Sequence, residues 1–167
     1  MSVRELLGRL SNLLEAAGVQ YMLTGSYASS LHGTPRATQD IDLVVAPTRQ
    51  QLAALLKLLP DTEYYVSPEA VFEALAHRGQ FNVIDFATGW KVDFIILKDR
   101  DFSHEEFQRR RVQDLGGLPF HVASPEDVLI AKLEWAELGE DSRGLTPAER
   151  RPKWTTRTSK ARSFWKS

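Results

Sequence analysis

The chain has 167 residues, enough for one domain with a sizeable core, or for one domain and a tail. Its 43% hydrophobic and 26% charged residues are ordinary for a globular protein, and with no cysteine there is no disulfide and no thiolate metal site. No apolar run approaches the roughly 20 residues of a membrane span, and an acid interrupts the N-terminal Met-Ser-Val-Arg-Glu-Leu-Leu, so neither a signal peptide nor a membrane partner is expected and a cytoplasmic location is the default. The net charge of −1 conceals an asymmetry. Residues 143–167 hold eight Lys/Arg against Glu149, whereas the remainder holds thirteen bases and twenty-one acids. An acidic folded part argues against broad nucleic-acid binding by its surface.

Val3, Leu6, Leu7, Leu10, Leu13, Leu14 and Ala17 recur at three and four residues, which predicts an amphipathic helix over 2–17, closed by Gly18. A strand is expected at about 19–24. Gly25-Ser26 follows it and precedes a helix-compatible stretch from Tyr27 to His32. Glycine at a strand-to-helix turn lets backbone N–H groups approach a phosphate, and a helix N-terminus favours an anion. Gly33-Thr34-Pro35 breaks that helix.

Asp40-Ile41-Asp42-Leu43-Val44-Val45 reads as a strand with Ile41, Leu43 and Val45 on one face and both aspartates on the other. Their positions lie roughly 6.6 Å apart along the strand, so the carboxylates can converge on one cation. Two like charges on a half-buried strand are costly, and a divalent metal is the simplest remedy. Asp-x-Asp alone is weak evidence; a preceding phosphate cradle strengthens it.

Thr48 caps a helix with an apolar stripe at Leu52, Leu55, Leu56 and Leu59, ended by Pro60. Tyr64-Tyr65-Val66 is a short strand, and Pro68 opens a helix to about His77. Phe81 to Phe86 and Trp90 to Leu97 form a hairpin around Ala87-Thr88-Gly89. Asp85 and Asp93 both lie in it. Ser103 to Arg111 reads as a helix whose basic Arg109-Arg110-Arg111 end complements its dipole. After Gly116-Gly117, Leu118 to Val122 reads as an edge strand because of Pro119. Ser124-Pro125-Glu126-Asp127 starts a helix with Val128, Leu129, Leu133 and Trp135 facing inward. His32, His77, His104 and His121 show no paired metal-ligand spacing, and His32 reads as a polar helix end.

The order Gly25-Ser26, short helix, Gly33, Arg36-x-Thr38, Asp40-Ile41-Asp42 resembles the signature of the DNA polymerase β-like nucleotidyltransferase superfamily. Within it, the stretch is most similar to small bacterial AbiEii/AbiGii-type toxins and minimal nucleotidyltransferases. The resemblance covers roughly residues 3 to 139 and is sharp from Gly25 to Val45. It implies an α/β (α+β) polymerase β-like core with a mixed sheet and packed helices, and a nucleotidyltransferase domain over 1–139. It also implies Mg²⁺ or Mn²⁺ held by Asp40, Asp42 and a third acid on a later strand, with Asp93 preferred and Asp85 the fallback. Gly25, Ser26, Arg36 and Thr38 would serve the nucleoside triphosphate, as would Lys132 on the helix after the core.

The implied activity is transfer of a nucleoside monophosphate from the triphosphate to an acceptor hydroxyl, in a toxin–antitoxin or phage-defence setting. The acceptor stays open between tRNA, a protein and a small molecule of the aminoglycoside kind, and a partner protein or second copy could complete the site. A non-catalytic, antitoxin-like module is the rival from another class. Three acids on one face favour catalysis, since a scaffold has no use for their repulsion. Beyond Gly139 the pattern loses its period. Residues 140–167 read as a basic, disordered tail, either an aromatic-bearing arm for an RNA acceptor or a stretch read out of frame.

Overall fold

A computed structural model of the protein describes residues 2–33 and 40–141, with side chains described as far as Glu134. Two compact units divide the chain, Met1–Val128 and Leu129–Ser167. In the first, helix α1 (Val3–Ala16) begins with a capping box in which Ser2 and Glu5 exchange side-chain and backbone bonds. It buries Leu6, Leu7, Leu10 and Leu14, the stripe that the spacing predicts. Gly18 closes it at φ +70°, a left-handed turn that glycine adopts without cost.

Strand β1 (Tyr21–Thr24) leads directly into helix α2 (Gly25–Leu31), and β2 spans Asp40–Val45. Then follow α3 (Arg49–Leu58), β3 (Tyr64–Tyr65), α4 (Pro68–His77), β4 (Gln80–Asp85) and β5 (Lys91–Ile96). The Thr48–Gln51 capping box and Ser67 start the two helices at the expected residues. Helix α5 (Asp101–Arg109), β6 (Arg111–Asp114) and β7 (Pro119–Val122) complete the sheet, and α6 runs Pro125–Asp141.

Seven strands form one mixed sheet in the order β3-β4-β5-β2-β1-β7-β6, with β2–β5 and β1–β7 parallel and the other pairs antiparallel. One face carries Leu23, Ile41, Leu43, Val45, Val92, Phe94, Ile96, Phe81 and Val83, all buried. Phe81 and Phe94 stack across β4 and β5 with centroids 5.0 Å apart. Residues of opposite parity on β2 and β5 form the other face, which keeps the polar side chains.

Three local expectations are corrected. The strand at Pro119 is not an edge, because β6 pairs with it; proline sits at its first residue, where a missing N–H interrupts no inner ladder bond. The third arginine of Arg109-Arg110-Arg111 belongs to β6 rather than to a helix end. Arg109 instead binds buried Asp127 at 2.7 Å, and Arg110 donates to the carbonyl of Phe107. On α6, Val128 is buried, but Leu129 and Leu133 are 59% and 58% exposed. Their four-residue spacing correctly marks a helix, yet spacing cannot say which stripe meets a core. The side chain of Trp135 and everything from residue 142, including most of the proposed basic tail, lie outside the described residues. Among the described residues no helix is long and apolar enough to cross a membrane.

Candidate active site

The site grows from one register. β2 and β5 run parallel with Asp42 opposite Asp93 and Asp40 opposite Lys91. Opposite residues on paired strands share a face, so the three carboxylates and one ammonium lie together on the face away from the core. The neighbouring pairs extend this row. β4 places Asn82 opposite Asp93, and β1 places Thr24 opposite Asp42, so Asn82, Asp93, Asp42 and Thr24 stand in line across four strands.

Asn82, Lys91 and the acids hold one another. Asn82 donates from Nδ2 to Asp93 Oδ1 at 2.6 Å. Lys91 Nζ lies 3.1 Å from Asp93 Oδ2 and 3.4 Å from Asp40 Oδ1. Asp93 is 8% exposed overall, whereas the Asp40 side chain is 56% exposed. Burial pushes the Asp42 carboxyl above its ordinary value, and the charges of Asp93 and Asp40 push it further; the Ser26 backbone N–H and the Lys91 charge oppose them without prevailing. Hydrogen bonding to Asp93, then its charge, raises the Lys91 ammonium.

Gly25 explains why the turn after β1 is glycine. Its φ is +71°, and a Cβ there would overlap the Asp42 carboxylate, 2.7 Å from its Cγ. The α2 start therefore packs its backbone against Asp42, and the Ser26 N–H points at that carboxylate. The motif implies a phosphate for this N–H, but in the fold it already has an acid to bond. Tyr27 on α2 meets Trp90 edge to face at 6.3 Å, which ties this helix to the residue before Lys91.

The residues expected at the site divide clearly. Gly25, Ser26, Asp40, Asp42 and Asp93 are brought together. Asp85 is not: it is fully buried on the opposite face of β4, bound by Arg9 at 2.7 Å and by the Thr88 N–H and hydroxyl. It is a structural acid. Arg36 and Thr38 lie outside the described residues, and Lys132 lies on α6 within the second unit. His32 is the C-cap residue of α2, and its ring Nε2 lies 3.1 Å from the Ala123 carbonyl oxygen.

Sequence reasoning passed over Lys91, Asn82 and Thr24. Lys91 was legible, since it stands two residues before Asp93 and shares its face by the period of two. Asn82 required the exact hairpin register, where a shift of one residue would set Val83 there instead.

In kind and in face, the three carboxylates suit a hard divalent cation, which takes oxygen ligands. The burial of Asp42 near two other acids, which Ser26 and Lys91 offset only in part, also favours one. Among the described residues, however, no three of His, Cys, Asp and Glu are gathered closely enough to form a metal shell. Lys91 lies between Asp40 and Asp93 instead.

No protein-family profile matches the chain, and no curated sequence matches it. Solved structures do. A candidate nucleotidyltransferase from Thermotoga maritima superposes with a TM-score of 0.54 at 16% identity, covering 85% of this chain and 91% of that one. The lincosamide antibiotic adenylyltransferase LnuA, in a lincomycin-bound structure, gives 0.54 at 17% identity over 78% of this chain and 85% of its own. An antigenic nucleotidyltransferase-like protein from Paracoccidioides brasiliensis gives 0.50 at 18% identity, over 78% and 64%. At these identities the likeness defines the fold, and the fold is that of nucleotidyltransferases. This agrees with the α/β, mixed-sheet core expected from the motif.

Proposed function

We propose that the protein is a metal-dependent nucleotidyltransferase, moving a nucleoside monophosphate from a nucleoside triphosphate to an acceptor hydroxyl. The observation that carries this reading is the parallel register of Asp42 with Asp93. It sets three acids on one polar face beside the Gly25 turn, in a nucleotidyltransferase fold. Asp40, Asp42 and Asp93 would hold Mg²⁺ or Mn²⁺, which when bound would supply positive charge to offset that of the reacting phosphates. The acceptor oxygen forms a bond to the α-phosphorus as the bond to the β-phosphate oxygen breaks. Pyrophosphate leaves, and the hydroxyl proton passes to Asp93. Asn82 steadies that carboxylate by holding Oδ1. The Gly25–Ser26 turn borders the triphosphate, with Arg36, Thr38 and Lys132 proposed as its further contacts.

A thermal-melt series tests this. Mg²⁺ or Mn²⁺ with a nucleoside triphosphate is expected to raise Tm, since a ligand at a hundred times its Kd stabilises the fold by about 2.7 kcal/mol. Asp42→Asn is expected to abolish that shift while the apo protein stays folded. A full shift in the variant would place the nucleotide elsewhere.

The acceptor is proposed as either a macromolecule, such as tRNA or a protein, or a small molecule. One comparison favours the latter. LnuA, matched over 85% of its own chain, is a lincosamide antibiotic adenylyltransferase, and this likeness in fold and length supports an antibiotic-sized acceptor. Labelling with each nucleoside triphosphate in a cell extract, beside a panel of hydroxylated antibiotics, separates the two. A toxin–antitoxin setting in the cytoplasm is the corresponding biological proposal, and it rests on the motif resemblance alone.

A further inference from the structure

Between Asp40 and Asp93, at the place where two acids would share a cation, the chain supplies a cation of its own. Lys91 Nζ sits 3.1 Å from Asp93 Oδ2 and 3.4 Å from Asp40 Oδ1. The parallel register puts both acids within reach, because Lys91 is directly opposite Asp40 and two residues before Asp93 on one face. The ammonium therefore spans the two strands and neutralises one of three clustered negative charges.

Its hold is of an exchangeable kind. The Lys91 side chain is 40% exposed and that of Asp40 56%, so this contact lies at the water boundary, where ion pairs are weak. Asp93 is the buried end, and its two oxygens have separate duties. Oδ1 takes the Asn82 amide at 2.6 Å, and Oδ2 faces Lys91. If Lys91 leaves, Asn82 still fixes the carboxylate and Oδ2 becomes the free ligand. A flexible four-carbon stem lets the ammonium withdraw without moving the strand.

From this arrangement we infer that Lys91 is the resident counter-cation of the site, and that a divalent metal and the Lys91 ammonium compete for the Asp40–Asp93 pair. The inference rests on the proposed function and adds to it an order of events. The metal-free protein holds its acids together through Lys91. With a divalent metal bound, the Lys91 ammonium, already 40% exposed, would turn out into solvent.

Mn²⁺ titration of the full chain by calorimetry tests it, with wild type, Lys91→Met and Lys91→Arg compared without nucleotide. Removing a positive charge a few ångströms from the ligands is expected to tighten Mn²⁺ binding about tenfold in Lys91→Met. Lys91→Arg keeps the charge and is expected to bind no more tightly than wild type. Metal-free Lys91→Met is expected to melt below wild type, and Mn²⁺ to restore it. Wild-type binding with equal or weaker binding by Lys91→Met would overturn the competition and leave the metal-dependent reading standing. Absence of Mn²⁺ binding in all three proteins would overturn that reading and this inference together. A Lys91→Met protein with no cooperative melt even in Mn²⁺ would show the lysine to be structural, which also overturns it.

Discussion

Asp42 is the residue on which the site's electrostatics turn. Burial and then the charges of Asp93 and Asp40 hold its carboxyl above the ordinary value of 3.8. In the apo fold it keeps its proton over a window in which the unfolded chain has released it. The folded state then binds more protons, so this group's contribution to stability falls as pH rises from about the unfolded value through the raised one. Asp42→Asn removes the term. The metal-free variant is expected to match wild type in acid and to exceed it at neutral pH, as melting curves across pH 3–8 would reveal; identical profiles would contradict the raised carboxyl. Gly25 is the second critical position. Gly25→Ala meets both a left-handed φ and the Asp42 carboxylate. A cost of about 1–3 kcal/mol is expected from the backbone alone, read as a lowered denaturant midpoint, together with loss of the metal-and-nucleotide shift.

The hairpin of β4 and β5 carries two acids on opposite faces, and the period of two is what separates them. Asp85 faces the interior and ties β4 to α1 through Arg9, whereas Asp93 faces the polar row. Breaking a buried pair leaves a partner unsatisfied, but Arg9 is 30% exposed and can regain water. Asp85→Asn is therefore expected to lose about 2–3 kcal/mol of stability while keeping the nucleotide-dependent shift. Asp93→Ala should do the reverse: near-normal stability, weakened nucleotide binding and no transfer of label. Chemical denaturation and a labelling assay on both variants check the pair. If Asp85→Asn were inactive at full occupancy and Asp93→Ala active, the two roles would be exchanged.

Over the whole molecule the charge is divided, with an acidic portion up to residue 142 and eight Lys/Arg beyond it. Should those bases grip an RNA acceptor, deletion after Leu145 is expected to weaken RNA binding and to flatten its dependence on salt, because fewer phosphates would be neutralised. Binding measured from about 50 to 200 mM salt checks this. An unchanged slope would remove the arm from consideration, and an alternative reading frame encoding a periodic apolar helix would explain the segment instead.

Much of this was local and so legible along the chain. The start of α3 at Thr48, the limits of α4 and the Asp40–Val45 strand follow from caps, a proline and a period of two, all of which act within a few residues. The Gly25-Ser26 and Asp-x-Asp motifs were visible for the same reason. Other features depend on partners far away in sequence. No local rule pairs Asp42 with Asp93 or sets β6 outside β7, because strand order follows from how the entire core packs. Asp85 and Asp93 likewise stand in similar apolar runs, and only the family resemblance prefers Asp93 to Asp85 in the sequence. Tertiary structure separates them by burying one against Arg9 and presenting the other, with Lys91, beside the first two aspartates.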